Sequence, residues 1–291
     1  MIEFQNVTKS FEEDVVLKDV SFKISRGETK IILGASGSGK STILKLILGL
    51  IRADSGKIFI DGQEITNMSE RELVQVRKGI GMVFQEGALF DSLSVKENVG
   101  YRLYEESEMS EEEIEMLVRR LLGFVDLDEA IEKMPSELSG GMKRRVGIAR
   151  ALVGSPKVIL YDEPTAGLDP ITKRTIVELM IKLRDLEGVT SVFVTHDLMS
   201  ARTIASEYAV AEDNGRIRYV QGGDRFCMVN IRFVMLHDGD VCFQGSYEQL
   251  AASKDPYVKA FMTWTQPAAG QQPMAGNTES QRPERTSFEV L

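Results

Sequence analysis

Gly34-Ala35-Ser36-Gly37-Ser38-Gly39-Lys40-Ser41 has the spacing GxxxxGK[ST], after a short apolar strand and before a helical run. Glycines in such a loop turn successive backbone N–H groups inward, where they cradle phosphate oxygens. The helix that opens behind the loop adds partial positive charge at its N-terminus. Lys40 is expected to reach the β- and γ-phosphates of a nucleoside triphosphate, and Ser41 to ligate Mg²⁺. Thr42 is expected to touch the α-phosphate. A dinucleotide fingerprint fails here, because Thr42 stands where its third glycine belongs.

A carboxylate pair follows a second apolar strand. After Val158-Ile159-Leu160-Tyr161 come Asp162 and Glu163, then Pro164-Thr165. A carboxylate at the carboxyl end of a parallel strand faces the same crevice as the phosphate loop. Asp162 suits a Mg²⁺ ligand, and Glu163 is placed to polarise an attacking water. Leu138-Ser139-Gly140-Gly141-Met142 begins 24 residues before Asp162. Ser139 can cap the helix that follows, and the two glycines let another backbone come close. One chain thus carries two anion-binding helix starts, which suggests one ATP held from two sides.

These groups need a rigid frame. Residues 1–33 read as β-rich, with short apolar runs broken by turn residues. Lys40 to Leu50 reads as a helix, and Lys57 to Ile65 as a hairpin turning at Asp61-Gly62. Residues 69–135 read as helical, with capping-box starts at Ser69/Glu72, Ser94/Glu97 and Ser110/Glu113. The strands at Val158 to Tyr161 and Ser191 to Val194 flank a helix, so the alternation predicts an α/β core with a parallel sheet. Two strand-turn-strand runs, around Gly215 and Gly239, look like one hairpin inserted beside another.

The chain has 291 residues, 43% apolar and 27% charged, a globular composition able to bury its own core. Net charge is −9, which excludes duplex nucleic acid as a main partner, since phosphate neutralisation needs a basic face. Seven glutamates lie between Glu105 and Glu115 and read as a solvated helix face. Cys227 and Cys242 form no CxxC pair and are expected to be reduced thiols. No run of about 18 uncharged apolar residues exists, and the start of the chain lacks a secretory pattern. Any membrane role must come through a partner.

The phosphate loop, Gln85, Leu138 to Met142, Tyr161-Asp162-Glu163-Pro164, Ala166-Gly167-Leu168-Asp169 and Thr195-His196-Asp197 occur in the order and spacing of one family. The chain resembles the ATP-binding subunits of ABC transporters over about residues 1–205, and again near 233–262. The resemblance implies a P-loop NTPase fold with a RecA-like parallel-sheet core, an antiparallel β subdomain and an inserted helical subdomain at about 88–154. It implies that two cassettes pair head to tail around two ATP. Ser41, Gln85 and Asp162 would hold Mg²⁺, and Glu163 would act as general base. His196 would steady the γ-phosphate and the water. Ser139, Gly140, Gly141, Met142 and Asp169 would act in trans on the partner's nucleotide. Phe11 would stack on adenine, and Val16 would touch the nucleoside.

Gly87-Ala88-Leu89-Phe90 after Gln85, Met142 closing its motif, and Asp255-Pro256-Tyr257-Val258 before Phe261 resemble the Mla-type branch, ATPases of bacterial phospholipid transporters. That likeness implies a membrane permease, an MCE-type lipid-binding protein and a STAS-domain subunit as partners, at the cytoplasmic face of the inner membrane. Leu89, Phe90 and Leu93 would offer the permease an apolar patch. The family cassette thus spans 1–262, with an extra hairpin at about 207–232 where the family has a direct helix-to-strand step. Residues 263–291 form a Pro-, Gly- and Gln-rich tail expected to be disordered, unless its Phe288-Glu289-Val290-Leu291 end docks on a neighbour. Another cargo (amino acids or organic solvents) stays open, because a cassette does not touch cargo. A soluble ABC ATPase would normally need two cassettes, and a phosphate-loop kinase would not need the Ser139-Gly140-Gly141 motif.

Overall fold

The computed structural model describes residues 1–212, 214–222 and 230–264. Cys227 and the tail from 265 onward lie outside them.

A six-stranded sheet carries the frame, in the order β12-β11-β3-β8-β7-β6. Its members are β3 (Thr29–Leu33), β6 (Ile80–Val83), β7 (Val158–Asp162), β8 (Thr190–Thr195), β11 (Ile231–His237) and β12 (Asp240–Gly245). All neighbours pair in parallel except β11 with β12. Both faces are covered, so its strands are apolar on both sides. Along β3, Ile31 and Leu33 enter one core while Ile32 enters the other. Along β7, Ile159 and Tyr161 face the first core, and Val158 and Leu160 the second.

A four-stranded antiparallel sheet packs on the second core, in the order β2-β1-β4-β5. It is built from β1 (Ile2–Phe11), β2 (Asp14–Ile24), β4 (Ser55–Ile60) and β5 (Gln63–Glu64). The turn at Asp61-Gly62 has positive φ at both residues, 49° and 82°, as a tight hairpin turn requires.

The helices start where local chemistry places them. Capping boxes are present at Ser69 of α2 (Glu70–Arg77), Ser94 of α3 (Val95–Glu106) and Ser110 of α4 (Glu111–Phe124). One strand breaks the helical reading of 69–135: β6 lies between α2 and α3. Four residues are too few to show a period, and their pairing with β7 decides their state. Gly81 is needed within β6, since a Cβ there would come within 2.4 Å of the Ala151 carbonyl on α5 (Gly140–Leu152).

The remaining helices are α1 (Lys40–Ile47), α6 (Pro170–Glu187), α7 (Leu198–Ser206), α8 (Tyr247–Ala251) and α9 (Pro256–Trp264). Between α7 and β11 the chain makes a two-stranded antiparallel ribbon, β9 (Glu207–Ala211) and β10 (Ile217–Gln221). The two similar hairpins therefore have different fates. The Gly239 hairpin extends the main sheet, whereas the Gly215 hairpin stands outside both large sheets. The ribbon is fastened to α6: Arg174 pairs with Glu207 at 2.7 Å, and Ala209 N–H donates to Asp185 at 2.8 Å. Ile217 and Tyr219 rest against the first core.

Candidate nucleotide site

Sheet register gathers the site. Leu33 pairs with Thr195, and Val194 with Asp162, so the carboxyl ends of β3, β8 and β7 open on one edge. Ligands of open parallel sheets bind at that edge.

The loop from β3 to α1 needs its glycines. Gly37 and Gly39 have φ of 83° and 94°. A Cβ at Gly39 would meet Leu17 at 2.6 Å and the Val16 carbonyl at 3.0 Å, and one at Gly34 would meet Ser38 Oγ at 2.4 Å. Ser38 Oγ is buried without a hydrogen-bond partner. An orphaned hydroxyl in a glycine cradle at the head of α1 fits a phosphate. Val16 borders the loop, whereas Phe11 is 44% exposed at the tip of the β1–β2 hairpin, with Lys9 Nζ 5.3 Å from its ring centroid.

Lys40 is buried, and its ammonium donates to the Gly34 and Ala35 carbonyls, both at 2.9 Å. It also lies 3.5 Å from Glu163 Oε1. Burial pushes its pKa down, against the attraction of Glu163. Ser41 Oγ donates to Asp162 Oδ1 at 2.8 Å. Burial pushes the Asp162 carboxyl up, the Ser41 hydrogen bond opposes this, and the Glu163 charge adds to it. A hydroxyl beside a carboxylate is a hard oxygen pair suited to Mg²⁺, which would complete its shell with phosphate oxygens and water. Among the described residues no cluster of three His, Cys, Asp or Glu could hold a metal alone. Gln85 lies exposed in the turn after β6.

Glu163 is only 8% exposed and has φ of 46°, a left-handed conformation costly for a residue with a side chain. Its N–H donates to the Val194 carbonyl at 3.0 Å, which holds this backbone in place. Thr195 Oγ1 donates to Oε2 at 3.1 Å, the His196 N–H reaches the same oxygen at 3.3 Å, and His196 Nδ1 lies 3.0 Å from Oε1. Thr195 was visible only as part of the Thr195-His196-Asp197 run. Its part in holding the carboxylate comes from register. Asp197 caps α7 and pairs with Lys173 at 2.9 Å.

The Ser139 turn sits elsewhere in the same chain. Ser139 is exposed, and its Oγ accepts from the Met142 N–H at 3.3 Å. A Cβ at Gly141 would meet Thr172 Cγ2 at 2.2 Å, and one at Gly140 would lie 3.8 Å from Leu168. Asp169 caps α6, accepting from the Ile171 and Thr172 N–H groups at 3.1 and 3.0 Å. Arg144 on α5 donates to the Ala166 carbonyl. Ser139 to Met142 and Asp169 thus form one unit at the start of α5 and α6.

The expected apolar patch is rearranged. Leu89 packs against the first core and Leu93 is half-buried. Phe90 is 46% exposed and packs on exposed Tyr101, with centroids 4.8 Å apart. Asn98 forces this arrangement, because its buried side chain accepts from the Phe90 N–H at 2.8 Å and donates to the Phe90 carbonyl at 3.0 Å.

The family model described as ABC transporter matches residues 17–166. The chain belongs to the ABC transporter family. Among relatives of this cassette, "Protein TRIGALACTOSYLDIACYLGLYCEROL 3, chloroplastic" of Arabidopsis thaliana is 42% identical over 273 residues, 90% of this chain and 73% of that protein. The intermembrane phospholipid transport system ATP-binding protein MlaF of Haemophilus influenzae is 36% identical over 262 residues, 90% of each chain. The cassette also resembles the dimeric post-hydrolysis structure of the ATP-binding cassette MJ0796 bound to ADP and Pi. The TM-score is 0.70 at 35% identity, covering 84% of this chain and 98% of that one. The chain is an ATP-hydrolysing ABC cassette with the P-loop NTPase fold.

Proposed function

We propose that this cassette powers phospholipid transport between membranes through a partner permease. One observation carries the reading: the likeness to MlaF runs over 90% of both chains, well beyond the nucleotide pocket. The Arabidopsis relative, named for a glycolipid, supports a lipid cargo more broadly.

Two copies pair head to tail, each lending Ser139, Gly140, Gly141, Met142 and Asp169 to the other's nucleotide. The packing of that unit on the start of α6, and the dimeric form of the MJ0796 cassette, support this pairing. Lys40, Ser41 and the loop amides of Gly34 to Thr42 bind the phosphates, with Phe11 and Val16 at the nucleoside. Mg²⁺ held by Ser41, Asp162 and Gln85 would neutralise charge on the phosphate oxygens. Glu163 takes the proton of the attacking water, its Oε2 held by the Thr195 hydroxyl and the His196 N–H. Lys40 and His196 both rest on Glu163 Oε1, so an arriving γ-phosphate offers the two donors a new acceptor and frees the carboxylate for water.

The exposed Phe90–Tyr101 pair offers the permease its contact. Among the described residues no helix is long and apolar enough to cross a membrane. In this reading the cassette sits peripherally on the cytoplasmic face of the inner membrane, with an MCE-type lipid-binding protein and a STAS-domain subunit as further partners. The test is to purify the cassette with its membrane partners, reconstitute them, and follow a fluorescent phospholipid. ATP-dependent movement of the lipid is expected, and ATP hydrolysis stimulated only by an amino acid or a small organic molecule would overturn the assignment.

A further inference from the structure

Two carbonyls in the turn after Gln85 are held by one side chain. Arg150, half-buried in the last turn of α5, donates from Nη2 to the Gly87 carbonyl and from Nη1 to the Ala88 carbonyl, both at 2.8 Å. The backbone is shaped for this grip. Gly87 and Ala88 have φ of 80° and 45°, and two successive left-handed residues turn both carbonyls to one side. That conformation is costly at Ala88, which has a side chain, and it persists only where neighbours over-determine it. One face of α5 supplies those neighbours, since Lys143, Gly147 and Arg150 follow at helical spacing. A Cβ at Gly87 would meet the Lys143 carbonyl at 2.8 Å, and one at Gly147 would lie 3.4 Å from Gly87 Cα. Asn98 on α3 holds Phe90 a little further on. From Gly87 onward the turn therefore belongs to the helices. On its other side, Val83 at the end of β6 pairs with Tyr161, next to Asp162. Phe84, Gln85 and Glu86 are exposed and span the gap between sheet and helix, with the Gly87 N–H donating to the Phe84 carbonyl at 3.0 Å.

We propose that Arg150 is a positioning residue for Gln85, whose forked grip on Gly87 and Ala88 fixes the helix side of the short span that carries Gln85. The inference rests on the reading of Gln85 as a Mg²⁺ ligand. With β6 fixing the other side, Gln85 hangs between two anchors. An arginine suits the task because its planar fork offers two donors at a set spacing, whereas a lysine is a point donor. When the fork is lost, Ala88 leaves its costly conformation and Gln85 moves with it. The guanidinium acts through the backbone of the turn. The same helix begins at Ser139, so one rigid body sets Gln85 and presents Ser139.

The test uses the full chain, with amide hydrogen exchange over residues 84–88 and steady-state ATP hydrolysis. In Arg150→Lys, exchange over 84–88 should quicken about threefold to tenfold, the effect of losing one hydrogen bond, while the loop from β3 to α1 exchanges as in the parent. kcat should fall by a similar factor with the KM for ATP unchanged, because Lys40 and its loop are untouched. Gly87→Ala pushes the same turn away from the Lys143 carbonyl with Arg150 intact. It should repeat both effects, and it carries the test if Arg150→Lys fails to fold. In a Gln85→Ala background, Arg150→Lys should lower kcat no further, since a residue that acts through another has no effect once the other is gone. An equal fall in kcat with and without Gln85 would reduce Arg150 to a packing residue and overturn the proposal. Parental exchange and kcat in both Arg150→Lys and Gly87→Ala would overturn it too, and either result leaves the Gln85 assignment standing. Parental kcat and Mg²⁺ dependence in Gln85→Ala alone would remove that assignment, and the proposal with it.

Discussion

Glu163 and His196 come from different strand ends, 33 residues apart in the chain, yet Nδ1 of the imidazole lies 3.0 Å from Oε1 of the carboxylate. The contact needs the neutral tautomer with its proton on Nδ1, or the charged ring, for the imidazole to donate. It fixes the carboxylate from one side while Thr195 fixes it from another.

Glu163→Gln should bind ATP and hydrolyse it at least ~10²-fold more slowly, because the amide can accept from Thr195 but cannot take a proton from water. Phosphate release in a single-turnover assay checks this. Near-parental turnover would remove Glu163 as the base.

Thr195→Val keeps the shape of a fully buried side chain and deletes its donor. The Glu163 oxygen then loses a partner, at a cost of about 1–3 kcal/mol in stability. kcat should fall while the KM for ATP stays nearly constant, since Thr195 touches the carboxylate and not the phosphate loop. A denaturant titration with steady-state kinetics separates the two effects.

Asp162 governs part of the acid response. Its folded pKa is raised, by burial and the Glu163 charge, so the folded chain holds this proton more tightly than the unfolded chain. That stabilises the nucleotide-free protein below the ordinary aspartate value, and the contribution is lost as pH rises through the folded value. Asp162→Asn stays neutral. It should raise the melting temperature of the nucleotide-free chain near pH 7 more than near pH 4, about the ordinary aspartate value, and should suppress hydrolysis. Melting curves across that range decide it, and an equal shift at both ends would contradict the sign.

Gly141→Ala drives a Cβ to within 2.2 Å of Thr172 Cγ2 in its own chain. Overpacking of this kind costs about 1–3 kcal/mol. Thr172→Ala on the same chain removes the colliding methyl and should restore most of the stability. Thermal melts of the single and double variants test the pairing of α5 with α6. No recovery in the double variant would place the strain elsewhere.

Deleting Glu212 to Asn230 removes β10 and leaves the Arg174–Glu207 and Asp185–Ala209 contacts. The isolated cassette should keep its ATPase activity but melt at a lower temperature, because Ile217 and Tyr219 leave the core they cover. Unfolding of the deletion variant would show that the ribbon is part of the frame.

Sequence alone determined what depends on short spacing. The phosphate loop with its Lys40, and the capping boxes at Ser69, Ser94 and Ser110, are local, since these hydrogen bonds close within a few residues. The Asp61-Gly62 turn is local in the same way. Tertiary structure decided the rest. β6 became a strand because β7 offered it a partner, against a weak local pattern. Leu89 turned inward and Phe90 outward because Asn98, eight residues beyond Phe90, bonds to its backbone. The two similar hairpins parted because only one found an open edge beside β3. The grip of Thr195 on Glu163, and that of Asp185 on the Ala209 amide, belong to no motif. They arise where sheet register and helix docking bring distant segments within hydrogen-bonding reach, and spacing along the chain holds no record of that distance.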